Sequence, residues 1–376
     1  MVPLLLLAAF GLAAAAQLQV PAAAQDEKPG PLLVFILAGQ SNMEGQAQVG
    51  GLGLPDCPLP DKRAACNRNG SLAWLVKHNP DEFGFAATNG GKNWTVRDDV
   101  WMWTNENGKV DANTSSQGSF GGLSAGYGCF GGGPEAGHQM GPEYGFGFTL
   151  GDKLKQQVLL IKTAWGGKTL AVDFRSPSAA KKSGAVGYYW TRMLSDVKLA
   201  LGSIETLFPK YDKAAGYKVA GLLWDQGWND GCSESMSHDY ETNLVDFIQD
   251  ARTEWGAQLK ISIPVSSFGG LGTCHNPSNQ CRQPDRRKEV VAAQFAVANA
   301  SAHPELHGGV AARDPGPYYV PLCEEEYTTS GCPPNATRWS PANMIYHWNQ
   351  NAYTYWNMGR LGGEGMLSVL PQEWQR

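Results

Sequence analysis

The residues Gly39-Gln40-Ser41-Asn42-Met43, with a further glycine at Gly45, follow directly on the apolar run of residues 31–39. A serine placed where strand turns to helix has an accessible hydroxyl and a backbone N–H aimed outward, the setting of a nucleophile. The same position also suits an ordinary serine N-cap. What favours chemistry is the company expected beside it. A second apolar run, residues 157–165, ends at Gly166 and Gly167, which can present backbone N–H groups without a Cβ in the way. A third, residues 218–227, ends in Gln226-Gly227-Trp228-Asn229-Asp230 and offers the side-chain amides of Gln226 and Asn229. These groups donate hydrogen bonds; they do not take protons. Fixed donors in a dry site stabilise a developing oxyanion without reorganising. Each also has a plain structural use, as a turn glycine or a loop amide.

Such residues meet only if the elements before them lie side by side. The runs 31–39, 157–165, 218–227 and 259–267 are almost continuously apolar, as strands covered on both faces are. Helical patterns alternate with them at 141–156, 188–208, 239–255 and 286–301, a weak fifth strand follows around 307–313, and a last amphipathic helix spans 349–367. This alternation predicts a three-layer α/β/α sandwich with a doubly wound, mainly parallel five-stranded sheet of flavodoxin-like type. In such a sheet ligands gather at the carboxyl ends of the strands, where the residues named above fall. A single domain over residues 31–370 is expected. The stretch at about 45–140 is rich in Gly, Asn and Cys and reads as a long insertion, with a strand signal only at residues 98–105.

Composition removes several functions. The 376 residues are 42% hydrophobic, enough to bury a core, and 30 Lys+Arg against 35 Asp+Glu leave no basic surface for nucleic acid or anionic lipid. Residues 3–16 form an apolar stretch shorter than a bilayer span, followed by small residues suited to cleavage, so residues 1–24 read as a secretory signal. A secreted chain with no membrane span beyond that signal is expected. Eight cysteines fit disulfides: the close pairs Cys57 with Cys66, Cys274 with Cys281 and Cys323 with Cys332, leaving Cys129 for Cys232. No CxxC or Cys/His cluster suggests a metal, and no cofactor is implied. Sequons at Asn69, Asn93, Asn113, Asn299 and Asn335 point the same way as the signal.

The motifs together resemble the SGNH hydrolases, and within them the sialate O-acetylesterase and acetylxylan esterase-like branch. GQSNM at 39–43 resembles that branch's nucleophile block, and RDDVWMW at 97–103 and GPEYGFG at 141–147 its accompanying signatures. Gly166 falls in the segment where the family places its oxyanion glycine, and GWND at 227–230 fits the block in which Asn is an oxyanion donor. The resemblance implies a serine esterase that removes O-acetyl groups from carbohydrates through an acetyl-serine, with Ser41 as nucleophile and Gly166, Gly167 and Gln226 or Asn229 at the oxyanion. It also implies a base near the C-terminus, which is His347. Two positions depart from the pattern. Trp228 stands where the branch more often has an acidic residue, and Met344 lies three before His347 where D-x-x-H would put Asp. Asp314, Glu324, Glu325 and Glu326 are candidate partners for the imidazole, as are a backbone carbonyl and Asn343. The implied partner is an acetylated polysaccharide or sialic acid. Trp165, Trp228 and Trp348 adjoin these segments and suit a sugar face, although core packing explains any one of them. The rival readings are an esterase of lipid or aryl esters and a glycan-binding protein without activity.

Overall fold

The computed structural model describes residues 30–57, 66–105, 119–129, 138–267, 284–321 and 345–376. Its main sheet has seven strands: β1 (Leu32–Gly39), β2 (Val100–Thr104), β3 (Ser119–Gly122), β4 (Val158–Ala164), β5 (Tyr217–Asp225), β6 (Lys260–Pro264) and β7 (Val310–Arg313), in the order β7-β6-β5-β1-β4-β2-β3. The five expected strands are present, and all of them run parallel to their neighbours. The other two come from the stretch read as an insertion. There β2 extends the sheet parallel to β4, with Val100 and Met102 buried in one core and Trp103 in the other, and β3 pairs antiparallel on its outer edge. Part of residues 45–140 is therefore built into the scaffold.

β1 shows why the sheet has helices on both sides. Leu33, Phe35 and Leu37 enter one core, while Leu32, Val34, Ile36 and Ala38 enter the other. A strand with two apolar faces is stable only when both are covered. The short helix α1 (Ser41–Glu44) follows β1 directly. On the first face lie α2 (Pro142–Lys153) and α6 (Ala352–Val369); on the second lie α3 (Tyr188–Gly202), α4 (Tyr240–Trp255) and α5 (Pro284–Ala296). The chain runs from β1 out to β2 and β3, returns to β4 beside β1, then crosses to β5 on the far side. That reversal puts a crevice at the carboxyl ends of β1, β4 and β5.

Cys57 and Cys66 form the expected disulfide. The expected Cys129–Cys232 bridge is not formed. Cys129 is a free thiol packed against Glu44 and Gln46, whereas Cys232 is disulfide-bonded elsewhere and sits beside Arg287. Cys274, Cys281, Cys323 and Cys332 lie outside the described residues, as do residues 1–29 with the expected signal. Among the described residues no helix is long and apolar enough to cross a membrane.

Under α1 lies a buried ion pair. Lys162 of β4 donates to Glu143 Oε2 of α2 at 2.9 Å, to the Glu44 carbonyl at 2.8 Å and to the Tyr127 carbonyl, with the two charged side chains 4% and 0% exposed. Removing one partner strands a charge in the core. Lys162→Met is expected to lower stability by roughly 3–5 kcal/mol in urea denaturation, and Lys162→Met with Glu143→Leu to recover most of that loss. A single variant as stable as the parent would show that the pair contributes nothing.

Candidate active site

Ser41 is not the N-cap of α1. Gln40 holds that position without a side-chain cap, and Ser41 is the first helical residue, 9% exposed. The bend is fixed by backbone bonds to both neighbouring strands, Gln40 N–H to the Asp225 carbonyl at 3.1 Å and Trp165 N–H to the Gly39 carbonyl at 3.1 Å. Gly39 has no room for a Cβ, which would strike the Asp225 carbonyl. Gly45 ends α1 at φ 95°, a conformation glycine adopts at little cost, and its backbone packs on Gly141.

The donor residues cluster around Gln40. Its Oε1 accepts from Gln226 Nε2 (3.3 Å), Gly227 N–H (3.2 Å) and Asn229 N–H (3.3 Å), and its Nε2 donates to Asn229 Oδ1 (3.2 Å). Gln226 is fully buried, and its amide also donates to Asp230 Oδ2 at 2.6 Å and to the Lys168 carbonyl at 3.0 Å. Asn229 Nδ2 donates to the Gly167 carbonyl at 2.7 Å from a part-exposed position. Gly166 borders the serine: a Cβ built there would lie 3.7 Å from Ser41 Cβ and 3.1 Å from Glu44 Oε2. Asp230 closes the cluster by accepting from the Leu170 and Ala171 N–H groups at 2.9 and 3.0 Å, which ties down the loop after Gly167. Burial pushes its carboxyl up to about 6 against those donors.

His347 reaches this region from the other side. Asn42 Nδ2, next to Ser41, donates to the carbonyl of Tyr346, next to His347, at 3.2 Å. The two segments thus meet through these neighbours, with no hydrogen bond between the Ser41 hydroxyl and the imidazole among the described residues. His347 Nδ1 is buried without a hydrogen-bond partner, and burial pushes the ring down to about 4, so it is neutral at ordinary pH. Asp314 does not serve it. That side chain is exposed, and its Oδ1 accepts from Gly316 N–H at 2.7 Å. Glu324, Glu325, Glu326 and Asn343 lie outside the described residues.

The three tryptophans are core residues, with Trp165, Trp228 and Trp348 at most 8% exposed. Trp228 is held between the Arg287 guanidinium, 3.9 Å from its ring, and the Tyr346 ring at 5.8 Å, which gives the departure at this position a packing role. Lys168, Asp173 and Arg175 fold back on their own loop through Thr169, Ala171 and Ala185.

Residues 31–307 match the family described as carbohydrate esterase, sialic acid-specific acetylesterase. The chain belongs to this family. It is a carboxylic ester hydrolase of the carbohydrate acetylesterase type. No curated protein matches the esterase. Among solved structures it is similar to a protein from Arabidopsis thaliana at 14% identity, covering 91% of this chain and 100% of that one with a TM-score of 0.46. It is also similar to NanS at 12% identity, covering 90% and 98% with a TM-score of 0.45. A third similar structure, a carbohydrate acetylesterase from Xanthomonas citri, is 12% identical over 75% of this chain and 49% of that one, TM-score 0.39.

Sequence reasoning missed Gln40, Asn42, Asp230 and one carboxyl. Asp225, the last residue of β5, is buried with Oδ2 unbonded, and desolvation pushes it up to about 8. Folding then takes up a proton between the unfolded value near 4 and about 8, so stability falls as pH rises through that window. Asp225→Asn is expected to remove this loss: its melting temperature should exceed the parent's by several degrees at pH 8 and by little at pH 4. Parallel melting curves across that range would contradict the neutral carboxyl.

Proposed function

We propose that the esterase is a serine O-acetylesterase of carbohydrates in which Ser41 is the nucleophile and His347 its base. The observation that carries this reading is the Asn42 bond to the Tyr346 carbonyl, which joins the serine's neighbour to the imidazole's neighbour over the crevice of the sheet. Neutral His347 takes the Ser41 proton as Oγ attacks the acetyl carbonyl. The tetrahedral oxyanion faces the Ser41 N–H, the Gly167 N–H and the remaining hydrogen of Asn229 Nδ2, while the Gly166 N–H is taken by the Glu44 carboxyl. Gln226 holds Gln40 in place instead of donating, because its amide is committed to Asp230, Lys168 and Gln40. The imidazolium returns its proton to the departing sugar oxygen, and water then cleaves the acetyl-serine by the same steps reversed.

The family description supports an acetylated sugar, sialic acid among them. Export is supported by the apolar stretch at 3–16, by the Cys57–Cys66 disulfide and by exposed sequon residues Asn93 and Asn299. A fluorophosphonate probe is expected to label Ser41. Ser41→Ala should abolish labelling, and Ser41→Ala and His347→Ala should each cut acetate release from acetylated sialosides or xylan by about 1,000-fold or more. Acetate release unchanged in either variant removes that residue from the mechanism. An unlabelled, inactive parent that still binds glycans would replace the enzyme with a lectin.

A further inference from the structure

We propose that Asn42 is a positioning residue: it ties the Tyr346 carbonyl to the Tyr355 hydroxyl, and so aims His347, which meets no carboxylate among the described residues, at Ser41. The inference rests on the roles given above to Ser41 and His347. Asn42 is 1% exposed and is bonded at both ends of its amide. Nδ2 donates to the Tyr346 carbonyl at 3.2 Å, and Oδ1 accepts from Tyr355 Oη at 2.7 Å. Tyr355 is wholly buried at the start of α6, and its oxygen faces the Gln46 N–H as well. One amide therefore couples α1, α6 and the segment that carries the imidazole.

That segment needs holding. Trp348, Asn349 and Gln350 have φ of 47°, 54° and 57°, three successive L-residues in the left-handed region, which persists only where surroundings enforce it. After the imidazole the contacts are Asn349 Nδ2 to Tyr319 Oη (2.9 Å) and the Val320 carbonyl (3.0 Å), with Gln48 Nε2 to Gln350 Oε1 (3.4 Å). Before it stands the Asn42 bond. The Tyr346 ring lies against the imidazole at 4.5 Å, and among the described residues no charged group bonds to the ring. Without Asn42 the strained turn loses the hydrogen bond on its N-terminal side, leaving the Tyr346 ring on Trp228 there, and the imidazole gains freedom to swing toward water.

The test compares Asn42→Ala, Asn42→Asp and Tyr355→Phe in the full chain. Asn42→Asp keeps the size and the acceptor for Tyr355 but loses the N–H donors. Both Asn42 variants are expected to lose about 100-fold in kcat with KM within about twofold, and Tyr355→Phe to lose less. The acid limb of the pH–rate profile should move up from about 4 toward the ordinary histidine value near 6.5 as the ring gains water. Wild-type kcat with an unmoved acid limb in these variants overturns the proposal. So does lost activity with an unmoved acid limb and a lowered melting temperature, the mark of a merely structural role. If Asn42→Ala fails to fold, Asn42→Asp and Tyr355→Phe decide. An inert parent defeats the Ser41 and His347 assignment itself, whereas an active parent with indifferent variants defeats only this inference.

Discussion

A one-turn helix has no stability of its own, because the first turn fixes several residues for a single hydrogen bond. α1 is such a helix, four residues long, and it carries Ser41. Its anchor is the ammonium of Lys162. One proton goes to the Glu44 carbonyl, an orphan acceptor at the end of α1, and another goes to Glu143 at the start of α2. A charge buried this deeply is tolerated only when all its bonds are made, so the ion pair permits little displacement of either helix. Glu143 is fixed in turn by the Gly141 N–H, and Gly141 packs on Gly45 at the other end of α1. Strand β4, helix α2 and the serine turn are one joint.

The opposite side of the serine is held by neutral groups. Gln40 binds Gln226, Gly227 and Asn229 through one oxygen, and Gln226 stands between it and the carboxyl of Asp230. Amides suit this place. An amide fixes geometry on this side without adding a charge, and the carboxyl that does border Ser41, Glu44, is pushed up by burial above the ordinary carboxylate range. Asp230 orders the loop after Gly167 from one layer further back, where its charge is met by two backbone N–H groups and Gln226.

What could be read from the sequence follows from this construction. The central strands are legible because burial on two faces leaves an unbroken apolar run, and Ser41, Gly166, Gly167, Gln226 and Asn229 stand at or just after their ends. β2 was visible as a strand but not as part of the sheet, since its five residues sit in a Gly-rich stretch with no helix pattern beside them. β3, Ser-Phe-Gly-Gly, gave no signal, because an edge strand is held by backbone bonds that any residue supplies. Lys162 is the one charged residue in the run 157–165, and its meaning depends on Glu143 and on a carbonyl of α1. Gln40, Asn42 and Asp230 were opaque for the same reason: each acts through partners on other elements, and spacing along the chain carries no trace of them. The spacing argument failed for Cys129 and Cys232 because leftover cysteines need not face one another.

Among the described residues no carboxylate meets the His347 imidazole, which makes the ring a poor place to put a proton, and burial makes it poorer still. In a Ser-His-Asp site the acid both orients the ring and stabilises the imidazolium. Among the described residues, orientation comes from packing, a strained left-handed turn and amide bonds, and the stabilisation is missing. On the roles proposed for Ser41 and His347, abstraction of the Ser41 proton is accordingly harder, which puts more of the barrier's lowering on rigid placement and on the oxyanion donors. The second half of the reaction gains from the same burial. An imidazolium held far below its ordinary pKa is a stronger acid, and the departing sugar oxygen, a poor leaving group unless protonated, receives its proton more readily. Burial of the proposed base thus moves difficulty from the departure of the alcohol to the attack of the serine, the step at which the joint between α1, β4 and α2 holds the proposed nucleophile in place.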